Sequence, residues 1–301
     1  MGSQPKVTAV ILNWNDSERT LFCVESVRDC QYSNLDLIVV DNGSTDNSKQ
    51  QLESQLRQEN LIINEENLGF AGGMNCGISE ALADGTDYIW ILNNDIVIED
   101  SGIVQQLVDV FESNDEVGIV SPLVRKHPMT EQVWFSRGEV NFSNGDVGHS
   151  NIDISSINRE LLQSEYVPFC SPLIRSEIFD EIGLISEDYF LYYEDADYCQ
   201  MVVNEGYRIV TAVNSVIFHE VNVSSGGMFS PLFSYYRARN RWLFSKKHGN
   251  ENFNVLLYLW WVFKAISHRI LYQEFASAKA ILQGTLHGLA GKSGKGPYPK
   301  S

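Results

Sequence analysis

The feature that most constrains this chain is an alternation, over its first 121 residues, of β-branched runs with stretches of helical spacing. "VTAVIL" (7–12), "LDLIVV" (35–40), "LIIN" (61–64), "YIWIL" (88–92) and "VGIV" (117–120) read as buried strands. Between them, 17–30, 45–59, 74–83 and 101–113 place apolar residues at helical spacing, and the second opens at "GSTD", with Ser44 or Thr45 available as N-cap. Repeated strand–helix–strand units predict an α/β fold with a mostly parallel central sheet and helices on both faces. Ligands of such sheets bind at the carboxyl ends of the strands. Asn13, Asp41, Asn67 and Asp95 are therefore expected along one edge.

From 122 to 165 the pattern weakens into short strands and polar turns ("SNGDVGHSN"), which reads as a meander with a mobile loop. A strand near 166–175 and a short helix at 176–182 follow. "EDADYCQMVVNEG" (194–206) reads as a helix with Gly206 just past its end, and "RIVTA" and "SVIFH" as two strands. Residues 220–229 have the composition of a flexible loop, the remainder is helical and aromatic, and the Gly/Lys-rich tail after Gly288 is expected to be disordered.

A formal charge of -17 argues against a general nucleic-acid binder, which needs many Lys and Arg contacts to phosphate. The charge is uneven. From Tyr235 onward eleven Lys/Arg stand against two Asp/Glu, which leaves residues 1–234 about 26 net negative and gives the C-terminal fifth a different partner or surroundings. The five cysteines are odd in number and form no CxxC pair, so neither a disulfide framework nor a zinc ribbon is indicated, and a reducing cytoplasm is expected. The opening "MGSQPKVTAV" has no signal-peptide pattern, and "VLLYLWWVF" (255–263) is too short to span a bilayer.

Several stretches have a chemical reading beside a plain one. Asp41, in "VVDNGSTDNS", is placed to accept an N–H of a pyrimidine base or a ribose hydroxyl; an Asx-rich βα turn explains it equally well. "NLGFAGGMNCG" (67–77) has glycines that let backbone approach a diphosphate, or simply make a tight loop, and it lacks the dinucleotide fingerprint. In "LNND", Asp95 suffices for a hard cation if a diphosphate supplies the other oxygens, and Asn93 and Asn94 are placed to bond a sugar or nucleotide. The plain alternative is a strand terminated by Asn and Asp. "YYEDADYC" gathers three carboxylates in a helix's first turn, where the dipole alone welcomes them. Glu194 and Asp197 share a face while Asp195 diverges, which leaves Asp195 free as a general base. His219 ends "SVIFH" and is by default a satisfied strand-end histidine.

In the order "ILNWN", "VVDNGSTD", "NLGFAGGMNCG", "LNND", "YYEDADYC", "IFH" and "YYRARNRW", the chain resembles the inverting family 2 glycosyltransferases of the GT-A fold, over roughly residues 5–250. It is most similar to bacterial rhamnosyltransferase-type members that build surface polysaccharides. The resemblance implies a catalytic domain over 1–229, with a donor half to about 121 and an acceptor half from 122, then a helical region at 230–290 and a flexible tail at 291–301. It implies that Asn13 and Asp41 contact base and ribose, that Asn67, Gly72, Gly73 and Asn75 lie along the donor, and that Asp95 and His219 hold Mg²⁺ or Mn²⁺. Asp195 is then the base, with Glu194 beside it. Where many relatives carry Asp-x-Asp, this chain carries Asn93-Asn94-Asp95, so strict metal dependence stays open.

The implied activity is transfer, with inversion, from a dTDP- or UDP-sugar, dTDP-rhamnose leading, to a glycan or polyprenyl-linked acceptor. A UDP-sugar transferase of the same fold and a non-catalytic sugar-nucleotide binder are the alternatives. "YYRARNRW", "FSKKH" and the run around Trp260 and Trp261 suggest peripheral docking on an anionic membrane, with a helical core or homodimer interface as the rival.

Overall fold

The computed structural model describes residues 4–56, 61–128, 131–150, 159–220 and 229–298. Strand β1 (Val7–Asn13) lies at the centre of a parallel group, flanked by β2 (Leu35–Asp41) and β4 (Tyr88–Asn93), with β3 (Leu61–Ile63) outside β2. Strand β6 (Val117–Lys126) pairs in parallel with β12 (Arg208–His219). Between the two groups β11 (Leu173–Arg175) is inserted antiparallel to both β4 and β6. The expected parallel sheet is thus mixed. The physical reason is that β11 returns from beyond the sheet's far edge instead of through a crossover helix.

Three small pairings finish the sheet. Strand β5 (Ile96–Val97) turns straight back after β4 and pairs antiparallel with the end of β12, with Ile96 opposite His219. Strand β10 (Leu161–Ser164) covers the other end of β12, β7 (Val133–Phe135) pairs β6, and β8 (Gly138–Asn141) with β9 (Asp146–His149) forms a separate hairpin. "RIVTA" and "SVIFH" are one strand, with a register break between Ala212 and Val216 that absorbs the polar "VNS". The strand expected over 166–175 keeps only its last three residues.

Helices α1 (Ser17–Arg28), α2 (Ser48–Gln55) and α3 (Gly69–Ala83) cover the first group, and α4 (Ile103–Ser113) packs on β6 and β12. In α4 the buried residues are Ile103, Val104, Leu107, Val108 and Phe111, one stripe of a 3.6-residue period. Each such side chain contributes about 1.5–3 kcal/mol on burial, and Leu107→Ala would cost about 2–5 kcal/mol through the cavity it leaves. Helix α2 starts later than "GSTD" predicts, after Asn47, because Ser44 and Thr45 hydrogen-bond to the β1 and β2 ends instead of capping.

Helices α5 (Ser176–Ile182) and α6 (Glu194–Asn204) precede β12, with Gly206 at φ +96 closing α6 as expected. Three C-terminal helices then pack on this body: α7 (Pro231–His248), α8 (Val255–Leu271) and α9 (Phe275–Leu289). Ser230 caps α7 by accepting from Phe233 N–H, with Pro231 next, and Asn254 caps α8. The loop expected around 220–229 falls at 221–228, outside the described residues.

The tail expected to be flexible is held as far as Tyr298. Gly294 N–H donates to Asp188 O, Arg239 donates to Gly294 O, and Tyr236 OH donates to Tyr298 O. Its glycines allow that path: a Cβ on Gly296 would lie 2.4 Å from the Tyr235 ring. Composition suggested disorder, but these tertiary hydrogen bonds supply what the tail's few apolar residues cannot.

Candidate active site

The ends of β1 and β2 are built inward. The Asn13 amide donates to Asp41 Oδ1 (2.7 Å) and Ser44 Oγ (3.1 Å), and its oxygen accepts from Thr20 Oγ1 (2.7 Å). Asn13 is fully buried and both of its N–H donors are used. Asp41 is buried as well. Its Oδ1 accepts from Asn13 and from Ser44 Oγ, whereas Oδ2 meets only the Ser44 N–H at 3.4 Å and keeps lone pairs to spare.

The glycine segment is a helix, not the loop its composition suggests. Gly72 and Gly73 lie inside α3, and a Cβ on Gly73 would sit 2.6 Å from Leu12 Cδ1 and 2.8 Å from Asn42 Nδ2. Gly73 therefore serves close packing of helix on sheet, while a Cβ on Gly72 would meet Leu68 Cβ at 2.8 Å. Asn75, also buried, donates to Ile185 O (2.8 Å) and accepts from Ile185 N–H (3.1 Å), tying α3 to a segment 110 positions away. Asn67 is partly exposed and folds back on Gly69 N–H at 2.8 Å.

The residue that organises this corner is Asn42, which the sequence reading passed over. It donates to Gly69 O (2.8 Å) and accepts from Leu68 N–H (3.2 Å) and Asn64 Nδ2 (3.1 Å). Its only signal was its place directly after Asp41.

The turn after β4 brings two predicted residues together. Because β5 doubles back onto β12 with Ile96 opposite His219, Asp95 is carried beside that histidine. His219 Nε2 lies 3.1 Å from Asp95 Oδ1, near enough for an ion pair but out of line for a hydrogen bond. Asp95 Oδ1 and His219 Nδ1 are both buried without hydrogen-bond partners. Asp95 Oδ1, a buried hard donor without a hydrogen-bond partner, with His219 Nε2 beside it, fits a divalent cation whose other ligands come from a diphosphate. Among the described residues no group of three or more His, Cys, Asp or Glu side chains is gathered for a metal, so the protein alone does not complete such a site. Trp134 stands edge-on to His219 at 4.6 Å and fixes its ring. Asn94 donates to Thr20 Oγ1 (3.2 Å) and holds the turn to α1, while Asn93 is partly exposed at the strand end.

The three carboxylates of α6 have three different environments. Asp197 is fully buried, and although burial alone would raise its pKa, hydrogen bonds from His248 (2.7 Å), Lys247 (2.8 Å) and Tyr189 (2.8 Å) hold it below the usual value. Glu194 is buried with Oε2 unpartnered, and burial, reinforced by Asp195, pushes its pKa well up. Asp195 is partly exposed. Burial raises it to about 6, against the pull of backbone N–H groups at Ala196, Asp195 and Phe169. A carboxylate titrating there is basic enough to take a proton and still ionised at neutral pH. The Cys170 thiol is pushed up to about 12, chiefly by burial and further by the charges of Asp95 and Asp195.

The approach to α6 is conformationally unusual. Phe190, Tyr192 and Tyr193 all have positive φ (61°, 67° and 76°), and Tyr193 directly precedes the helix. Three non-glycine residues in this region persist only if the surroundings over-determine them. Asn240 of α7 supplies that: its amide donates to Tyr189 O, Leu191 O and Tyr192 O at 2.8–2.9 Å. Arg239 adds Tyr189 O (2.8 Å) and is itself aligned on Asn240 Oδ1 (2.8 Å). The "YYRARNRW" helix thus sets the backbone that aims Asp195.

Comparison with known proteins follows this geometry. The family model described as "Glycosyl transferase family 2" matches residues 8–183. Along 97% of its length the chain is 22% identical to the dTDP-rhamnosyl transferase RfbF of Shigella flexneri, covering 98% of that protein. It is 24% identical to the N-acetylglucosaminyl-diphospho-decaprenol L-rhamnosyltransferase of Mycobacterium tuberculosis, over 63% of this chain and 68% of that one. In fold it is similar to the mannosyltransferase PcManGT from Pyrobaculum calidifontis, solved with GDP-Man and Mn²⁺, at a TM-score of 0.60 and 14% identity over 96% of this chain and 88% of the other.

Proposed function

The chain belongs to glycosyl transferase family 2, and from that membership we propose that it moves rhamnose from dTDP-rhamnose, with inversion, to a hydroxyl of a lipid-linked glycan acceptor. The observation that carries the donor is the end-to-end likeness to a protein named as a dTDP-rhamnosyl transferase. The acceptor class rests on the mycobacterial relative, whose name places its acceptor on decaprenyl diphosphate.

In this reading Asp41 Oδ2, with lone pairs unmet, accepts the N3–H of thymine, and Asn67 and Asn93 on the crevice rim bond the ribose and sugar. Asn13, Gly72, Gly73 and Asn75 act from beneath by fixing these groups. Asp95 and His219 would hold Mg²⁺ or Mn²⁺, which would supply positive charge to the leaving diphosphate. Asp195 takes the acceptor's hydroxyl proton as that oxygen bonds to the anomeric carbon, and the bond to the diphosphate oxygen breaks with its electron pair leaving on dTDP. General-base help of this kind is worth about 10² to 10⁴ in rate. Glu194 stands beside it, its pKa pushed well up by burial and by Asp195.

Thermal-shift and turnover assays with dTDP-rhamnose, UDP-sugars and GDP-sugars, each with and without Mn²⁺, test the reading. Stabilisation and turnover should be greatest with dTDP-rhamnose. Preference for a UDP-sugar would move the donor while keeping the enzyme class, and preference for a GDP-sugar would remove the pyrimidine contact at Asp41.

A further inference from the structure

Residues 293–298 form neither helix nor strand, yet they return to the turn that precedes α6. Gly294 N–H donates to Asp188 O at 2.6 Å, and Ser293 Oγ donates to Asp188 Oδ1 at 2.7 Å. Further along, Gly296 N–H donates to the Tyr236 hydroxyl (2.9 Å), which in turn donates to Tyr298 O (2.6 Å). The Tyr236 ring stacks on Phe190 at 5.3 Å, and Phe190 is one of the residues of positive φ. The tail is thus fastened to the left-handed turn at two points.

A buried charge joins the two segments. Arg239 is 1% exposed, and its guanidinium is aligned on oxygens that carry no formal charge. These are Gly294 O of the tail (2.6 Å), Asp188 O (3.2 Å), Tyr189 O (2.8 Å) and Asn240 Oδ1 (2.8 Å). A cation stays inside a protein only while acceptors surround it, because a buried charge without them is costly. The acceptor for Nη1 comes from the tail. Without it, the planar fork that also holds Tyr189 O loses one of its fixed points.

From Tyr189 the path to the proposed base is short. Its hydroxyl donates to Asp197 Oδ1 (2.8 Å), two residues beyond Asp195 on α6, where His248 and Lys247 of α7 also bind. Tyr189 is therefore gripped at its carbonyl by α7 and at its hydroxyl by α6, with the tail completing the first grip. The tail is the weak member. Lys292, Ser293 and Lys295 are exposed, and the ion pair of Lys295 with Glu66 (3.0 Å) lies open at both ends and contributes little. A segment held by few buried apolar contacts opens locally at low cost.

We propose that residues 293–298 are a positioning strap for Asp195. Closed, the strap completes the Arg239 fork and keeps the turn from Tyr189 to Tyr193 on the path that aims the base. Open, it leaves the donor corner intact and the base misaimed. The inference deepens the proposed function and rests on the base role of Asp195 given there.

Two variants of the full-length protein release the strap without touching the crevice. Gly296→Val puts a side chain where a Cβ would already lie 2.4 Å from the Tyr235 ring, and Tyr236→Phe keeps the stack on Phe190 but removes the hydroxyl between Gly296 and Tyr298. In both, hydrogen–deuterium exchange should quicken at least tenfold in peptides covering 188–197 and 293–298. Peptides covering 35–42 and 69–83 should keep the parent's rates, and dTDP should still bind, which certifies the fold. With dTDP-rhamnose as donor and N-acetylglucosaminyl-diphospho-farnesol as acceptor probe, kcat should fall at least tenfold at an unchanged donor KM. Lys295→Ala, which removes only the pair with Glu66, should match the parent. Faster exchange confined to the tail, faster exchange everywhere, or an unchanged kcat would overturn the proposal. So would an equal loss in Lys295→Ala, which would place the tail's effect beside Asn67 on the donor rim. A parent that turns over no dTDP-rhamnose would sink the donor reading instead, and exchange at 188–197 would then decide the strap.

Discussion

Burial of Asp195 costs the fold, and the proposed base role would give that cost a use. Its pKa, raised to about 6 by burial, predicts that kcat/KM with saturating metal falls tenfold per pH unit below about 6 and levels above it. Asp195→Asn should abolish transfer and leave dTDP binding unchanged, since the amide fills the same space but accepts no proton. The stability effect has a definite sign. The folded-state pKa is raised, so the folded protein holds the proton more tightly than the unfolded chain, and the penalty for ionising appears as pH rises from about 4 through 6. The Asn variant should thus be more stable than the parent above pH 6, by roughly 1–2 kcal/mol once partial exposure is discounted, and no different at pH 3.5. A variant that is less stable at pH 7.5, or still active, sends the base role elsewhere.

A second residue-level expectation concerns Asp95 and His219. His219→Ala should raise the Mn²⁺ concentration for half-maximal activity at least tenfold, and Asp95→Ala should weaken donor binding only when metal is present. Activity that survives exhaustive chelation would leave this pair as hydrogen-bonding groups alone. Asp95, His219 and Asp195 could be singled out because each stands at an element's end, although a strand-end or helix-dipole reading explains each of them as well. Asn13 and Asn75 were equally visible as letters, but the partners that bury them were not. Their partners, Asp41 and Ile185, lie 28 and 110 positions away, and sequence spacing carries no sign of such pairings.

Among the elements, α3 and α7 show where local reading gives out. Three glycines in "GFAGG" lower helix propensity by about 1 kcal/mol each, so a loop is the reasonable expectation. Contact with β1 overrides propensity, because only glycine lets the helix come that close. Gly73→Ala should therefore destabilise the protein by about 1–3 kcal/mol through overpacking on Leu12 and Asn42, a loss measurable by denaturant titration, although alanine is the better helix former. Helix α7 was legible as a helix but not as a clamp. Asn240→Ala would strip donors from three carbonyls of the left-handed turn, and the turn should relax. The expected result is a kcat lowered at least tenfold with the donor KM unchanged and a lower Tm. An equal loss in donor affinity would mean that α7 supports the whole crevice rather than the Asp195 turn.

Across the whole molecule, the charge asymmetry was legible while its assignment was not. Helical spacing does not reveal which basic residues face inward, and Arg239 and Arg241 of "YYRARNRW" are buried, aligned on backbone carbonyls, Asp146 and the Trp261 ring. They cannot meet lipid phosphates. What lies outside is apolar: Leu256 (75%), Trp260 (55%) and Phe263 (60%) on α8, and Phe275 and Leu286 on α9, with Lys264 and Lys279 exposed among them. No helix among the described residues is long and apolar enough to cross a membrane. Such a face is suited to contact with a bilayer or another chain, and Trp beside Lys favours the headgroup region. Membrane docking should thus depend more on apolar insertion than on charge. Cosedimentation with vesicles containing anionic lipid should persist at high salt and be lost in Leu256→Glu with Phe263→Glu, while Arg239 variants, if folded, leave it unchanged. The same double variant should remain able to bind dTDP. If the parent instead ignores vesicles and sediments as a dimer that the double variant dissociates, the apolar face is a contact between two copies, and a lipid-linked acceptor must be reached without it.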